Sequence, residues 1–329
     1  VKQSHYALGQ AAAIALTIGF GNACARPATT AAGSADNQPS MTLAASSASG
    51  PASNAAPAAD ARPPHFLLDR RPQTSQRIVS LAPSMTEILF ALDAGERVIG
   101  VTRFCDYPAA AKQRTKIGGF LDPSLEAIAG LKPDLVVTVP NGSNRQVVER
   151  LSDLGIPVLL VYDYDLADLD RAIPAIGDAI GQRDQAQALL QHMHADSAAV
   201  RAAVAGQDRP TVLFLYGRQP MVAAGPGSYA DALIEIAGGR NALGSAFPRY
   251  ATISLENVVV LAPDVVIDAY TAGHGAAPTP LDLERLANLP AVKQRQVYHL
   301  TDNAALRPGP RVGTDARIVA ALLHPGLAL

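Results

Sequence analysis

The side chains with chemical reach fall into three groups. Glu126 and Glu256 stand at the same place in two copies of one segment, Ser-Leu-Glu-(x)4-Leu-x-Pro-Asp, set 130 residues apart. In each copy a serine (Ser124, Ser254) is placed to cap a short helix. The glutamate then lies in the first turn, where the helix dipole favours negative charge. The second group is Arg218, Arg249, Arg307 and Arg311 with Tyr216, Tyr229, Tyr250 and Tyr270, spread over several loops. Guanidinium forks suit bidentate bonding to carboxylates, and ring faces suit a flat ligand. The third group holds the thiols and imidazoles. Two cysteines, Cys24 and Cys105, make neither a disulfide framework nor an all-cysteine metal site, and Cys105 reads as a small buried filler. His192 and His194 lie two apart on a helix and face different ways, while His274 and His299 are isolated. Gly225-Pro-Gly-Ser228 lacks the lysine of a phosphate-binding loop. No G-x-S-x-G, H-E-x-x-H or dinucleotide fingerprint occurs, which argues against an enzyme.

These groups need scaffolding, and the composition supplies it. The 329 residues suffice for two compact domains, and 48% of them are hydrophobic. A net charge of −2 with no basic cluster argues against a nucleic-acid partner. Residues 1–25 read as a signal peptide: Lys2, an apolar run from Ala11 to Phe20, then small residues around Cys24. Gly21-Asn22-Ala23-Cys24 resembles a lipoprotein box in which Cys24 is lipidated; ordinary cleavage after Ala25 is the alternative. Residues 26–75, rich in Ala, Ser and Pro, read as a disordered tether broken by Phe66-Leu67-Leu68.

From about Arg77 strands and helices alternate, which is the pattern of a parallel α/β layer structure. Arg77 to Leu81 is a buried strand, and Ser84 with Glu87 three residues on has capping-box spacing. The repeated segment, each copy preceded by a strand, implies two similar Rossmann-like lobes, 76–165 and 207–329. Between them, 166–206 reads as helix, ending in a long rod that permits modest opening of the lobes.

With these residues in view, the chain resembles the periplasmic binding proteins for cobalamin, iron-siderophores and haem that feed ABC importers. The resemblance rests on Arg77-Ile-Val-Ser-Leu-Ala-Pro-Ser-x-Thr-Glu87, on Val98-Ile-Gly-Val-Thr-x-x-Cys-Asp-Tyr-Pro108, on both repeat units, on Leu151-x-x-Leu-Gly-Ile-Pro-Val158 and on Arg307-Pro-Gly-Pro-Arg311. The Cys105-Asp-Tyr-Pro108 run looks most like the cobalamin branch. The resemblance implies a monomer without a cofactor of its own, carrying a metal chelate to a permease dimer with its ATPase subunits. It also implies that Glu126 and Glu256 dock onto permease arginines. The ligand is expected in the cleft between lobes, at loops after the carboxyl ends of strands. Candidate contacts are Ser84, Met85, Phe104, Asn141 and Ser143 on the first lobe. On the second they are Tyr216, Arg218, Tyr229, Arg249, Tyr250, Tyr270, Asn303 and Arg307. Tryptophan is absent, and the arginines would match siderophore carboxylates or haem propionates, so an iron-siderophore or haem ligand is the alternative to a corrinoid. A two-lobed enzyme such as a glycosyltransferase is the further alternative.

Overall fold

The computed structural model describes residues 64–66, 74–269, 284–300 and 304–327. The first lobe is built on β1 (His65–Phe66), β2 (Ile78–Ser80), β3 (Val98–Val101), β4 (Thr115–Lys116), β5 (Leu135–Thr138) and β6 (Val158–Leu160). They lie in the order β1-β6-β5-β2-β3-β4, all parallel except β1, which runs antiparallel along β6. The sheet therefore begins earlier than Arg77, because His65–Phe66 pairs with Leu159 and Leu160. Helices α1 (Pro83–Ala91), α2 (Leu125–Gly130) and α3 (Arg145–Asp153) make the crossovers. Alternate strand residues serve opposite layers. Val79 and Val136 pack with Ile128, Val148 and Leu151 under α2 and α3. Ile78, Leu135 and Val137 pack with Met85, Ile88 and Leu89 of α1. At Gly100 on β3 a Cβ would meet Leu131 at 2.7 Å, so glycine lets the end of α2 lie against the strand.

The second lobe has β7 (Thr211–Arg218), β8 (Met221–Ala224), β9 (Arg240–Asn241), β10 (Tyr250–Thr252), β11 (Val265–Asp268) and β12 (Val297–His299). Its order is β10-β8-β7-β11-β12, with β9 also beside β7. This sheet is mixed. β9, β7, β11 and β12 are parallel, but β8 returns from β7 as a hairpin and β10 pairs antiparallel to it. The two residues between β7 and β8 are too few for a crossover, so the strands must run opposite ways. Helices α6 (Tyr229–Ile236), α7 (Leu255–Leu261), α8 (Pro290–Lys293) and α9 (Val312–Leu323) cover the sheet.

Two helices join the lobes: α4 (Leu166–Ile180) and α5 (Arg183–Ala203), separated by a turn with Gly181 at φ 70°. Asp165 caps α4 by accepting from the Asp168 N–H at 2.8 Å. α5 buries Met193 and Val200 in the large core that also takes Val312, Ala316 and Val319 of α9.

The repeat folds alike in both lobes. Ser124 and Ser254 cap α2 and α7 through the N–H groups of Ala127 and Asn257. Lys132 (φ 49°) and Ala262 (φ 43°) hold the left-handed position before Pro133 and Pro263. Asp134 then accepts from the Gln76 and Arg77 N–H groups, at 2.8 and 3.0 Å, at the start of β2. Asp264 accepts from the Thr211 N–H and hydroxyl, at 2.8 and 2.6 Å, at the start of β7.

Candidate ligand-binding cleft

The carboxyl ends of the strands carry the loops that approach across the two lobes. After β2 the chain turns at Ala82 into α1, with Pro83 at its first turn and no side-chain cap. The expected capping box is absent. Ser84 instead donates its hydroxyl to Asp163 at 2.6 Å. Glu87, only 3% exposed, turns toward the second lobe. Arg311 grips it there with two bonds of 2.8 Å, and Arg307 stands 3.6 Å away. Burial raises the Glu87 carboxyl above its ordinary range in spite of both arginines. Arg307 also donates to Asp106 and, at 3.1 Å, to the Phe104 carbonyl. Burial opposes ionisation of Asp106, but the Arg307 hydrogen bond and charge prevail and hold its carboxyl low. The Arg311 guanidinium covers the Tyr107 ring at 4.2 Å. These contacts tie the loops after β2 and β3 to the segment before α9.

A second crossing lies after β6. Arg249 donates to the Gly227 carbonyl at 2.6 Å, lies 3.7 Å from the Asp165 carboxylate and covers the Tyr164 ring at 5.0 Å. Tyr250, 47% exposed, tilts against Tyr216 with ring centroids 5.6 Å apart. Burial, reinforced by the nearby Asp163 charge, pushes the Tyr250 phenol up to about 12. Burial likewise raises the Tyr216 phenol. Asp163 itself is pushed up to about 6 by burial, against the Ser84 hydrogen bond. Among the described residues it has no cationic partner.

Several expected contacts are relocated. Met85 has no exposed surface and belongs to the first lobe's core, because it sits on the buried face of α1 beside Ile88 and Leu89. Tyr229 is 2% exposed and donates to Asp315 of α9 at 3.0 Å, so it anchors α6 inside the second lobe. Neither faces the cleft. Asn141 organises its own loop, accepting from the N–H groups of Ser143 and Asn144 at 3.0 and 2.7 Å; Ser143 is exposed there. Phe104 is half-buried, with Arg103 over its ring at 5.0 Å. Arg218 forms an ion pair with Asp268, which also binds His299 Nδ1 at 2.9 Å. Tyr270, Asn303, His274 and Cys24 lie outside the described residues. Cys105 is buried between the hydroxyls of Thr86 and Thr102, each 3.1 Å from Sγ. His192 and His194 contact different acids, Asp196 and Asp170.

With this geometry the chain was compared with known proteins. The family model described as periplasmic binding protein matches residues 78–304. The chain belongs to that family. Among its relatives is the vitamin B12-binding protein of Salmonella paratyphi A, 30% identical over 198 residues, covering 60% of this chain and 74% of that protein. The vitamin B12-binding protein of Vibrio parahaemolyticus is 25% identical over 236 residues, covering 72% and 85%. A solved periplasmic haem-binding protein, RhuT from Roseiflexus sp. RS-1 in apo form, superposes with a TM-score of 0.67 at 29% identity, covering 77% of this chain and all of that one. These relatives are binding proteins, and the glycosyltransferase reading finds no support among them. Membership of a periplasmic family fits the extracytoplasmic location implied by the N-terminal segment.

In this periplasmic binding protein Glu126 and Glu256 are both exposed on the first turns of matching helices. Arg285 lies 3.8 Å from Glu256, and hydrogen bonds from Ser254 and its own N–H hold the Glu256 carboxyl below its usual range. The cleft residues missed from sequence are Asp163, Tyr164 and Asp165. Their signal was available, since Tyr162-Asp-Tyr-Asp165 directly follows a buried strand at its carboxyl end.

Proposed function

We propose that the cleft binds a corrinoid of the vitamin B12 kind and that the protein hands it to an ABC permease. The observation that carries the choice of ligand is the state of the arginines. Arg218, Arg249, Arg307 and Arg311 each already face a carboxylate: Asp268, Asp165, Asp106 with Glu87, and Glu87. A ligand carboxylate would have to compete with these internal acids and would meet a cleft without an uncommitted cation among these four. Haem presents propionates, whereas a corrin is fringed by neutral amides, which donate to and accept from such a surface at no charge cost. The tyrosine faces of Tyr216 and Tyr250 supply flat apolar contact in place of tryptophan. The relatives that bind vitamin B12 support this reading.

For delivery, Glu126 and Glu256 are the proposed contacts with permease arginines, one per lobe. Their equivalence within a duplicated unit supports this role. The ligand is tested by thermal shift with cyanocobalamin, a ferric siderophore and haemin. Cyanocobalamin at 100 times its Kd is expected to stabilise by about 2.7 kcal/mol. A shift with haemin and none with cyanocobalamin would overturn the proposal.

A further inference from the structure

We infer that Asp163 is a specificity-determining residue of the cleft, a carboxylate without a cationic partner among the described residues, which accepts hydrogen bonds from a ligand amide and repels a ligand carboxylate at the same point. The inference rests on the corrinoid reading and adds to it the group that selects within that class.

Asp163 follows β6 at the carboxyl edge of the first lobe's sheet, where the chain leaves for α4. One of its oxygens takes the Ser84 hydroxyl at 2.6 Å. A neutral hydroxyl orients the carboxylate without cancelling its charge, unlike the guanidinium groups beside Asp106, Asp165 and Glu87. The groups around it leave that charge standing. Ser84 approaches from α1. Tyr250 and Arg249 approach from the second lobe, and Arg249 is committed to Asp165 and the Gly227 carbonyl. Tyr164 and Asp165 flank it on its own loop, and Tyr164 lies under Arg249. Asp168, on α4, adds a negative charge and is paired with Arg171 at 2.7 Å.

A half-buried anion held this way is costly without a ligand, which is why burial pushes it up to about 6. An N–H donor from the ligand relieves that cost. A second carboxylate adds to it. A site whose polar group demands a donor therefore rejects analogues that lack one by a large factor.

Isothermal titration of wild type and Asp163→Asn with cyanocobalamin and its three monocarboxylic acids, each with one corrin amide hydrolysed, tests this. At pH 7.5 wild type is expected to bind at least one monocarboxylic acid about 30-fold more weakly than cyanocobalamin. In Asp163→Asn that discrimination falls below about 3-fold, since asparagine can donate to a carboxylate. The wild-type protein carries an independent readout. At pH 5 Asp163 is mostly protonated, while a ligand acid with an ordinary value near 4.3 is still mostly ionised, so discrimination is expected to collapse there too. If all three acids bind wild type like cyanocobalamin, or if the wild-type discrimination persists undiminished in the variant and at pH 5, Asp163 has no such role while the corrinoid assignment stands. If cyanocobalamin itself fails to bind, both fall.

Discussion

Residue-scale chemistry in this protein is decided by which charges are already matched. Glu87 and Asp106 are matched by Arg311 and Arg307 across the two lobes. Asp163 keeps its charge and bears the strain of burial. The consequence for stability has a definite sign. An unfolded aspartate titrates near 3.9, and the folded one is pushed up to about 6. Between those values the folded state holds a proton that the unfolded chain has released, so stability falls as pH rises through that window and the cost persists above it. Asp163→Asn removes the charge while keeping an acceptor for Ser84. At pH 8 the ligand-free variant is expected to be more stable than wild type by on the order of 1–2 kcal/mol, and at pH 4 the gain should vanish. Thermal melts at the two pH values would show it; an equal gain at both would mean that the effect is not the charge. A stabilising change at the proposed ligand contact would follow the usual relation between strain and function.

At the scale of elements the repeated segment explains itself twice. The serine caps the helix, the residue before proline turns left-handed, and the aspartate fastens the next strand to the start of the strand beside it, β2 in one lobe and β7 in the other. Asp264 carries the tighter version, with the Thr211 N–H and hydroxyl both on one oxygen. Hydrogen bonds to a charged acceptor stabilise by about 1.5–3 kcal/mol. Asp264→Ala is therefore expected to lower stability by about 2–3 kcal/mol, read by urea unfolding, and Asp134→Ala by a similar amount in the first lobe. A loss under about 0.5 kcal/mol in both would show that the aspartates only decorate the turns. The capping-box expectation at Ser84 fails for a reason at this same scale. Pro83 already starts α1, which frees Ser84 and Glu87 to reach Asp163 and Arg311.

For the whole molecule the relevant quantities are how the lobes are held and what they show outside. Glu87 and Arg311 are 224 residues apart in the chain and lie on different lobes, so their bidentate bond is a tertiary clasp. Breaking such a buried pair by removing one partner is costly, which restrains opening of the cleft near α1 and α9. The exposed pair Glu126 and Glu256 contributes nothing comparable inside the fold. Replacing both by alanine is accordingly expected to leave cyanocobalamin affinity within about 2-fold and to abolish uptake in a transport assay with the permease. Uptake at the wild-type rate would remove the docking role; weakened binding would move the glutamates to the ligand site.

Much of this was legible in the order of residues. The duplication, the alternation of strand and helix, the outward glutamates and the helical connection all depend on local spacing, which the chain carries by itself. The family resemblance drew on the same local motifs. Cleft chemistry was less legible, because it depends on which side chains meet across the lobes. Four arginines looked like anion receptors in the sequence, and the fold neutralised each with an acid elsewhere in the chain. Met85 and Tyr229 looked like contacts and were taken into the core, since a loop position says nothing about which face of the following helix is buried. Asp163 looked ordinary. What distinguishes it is that no guanidinium reaches it among the described residues, and such a relation between distant parts of the chain exists only once they are folded together.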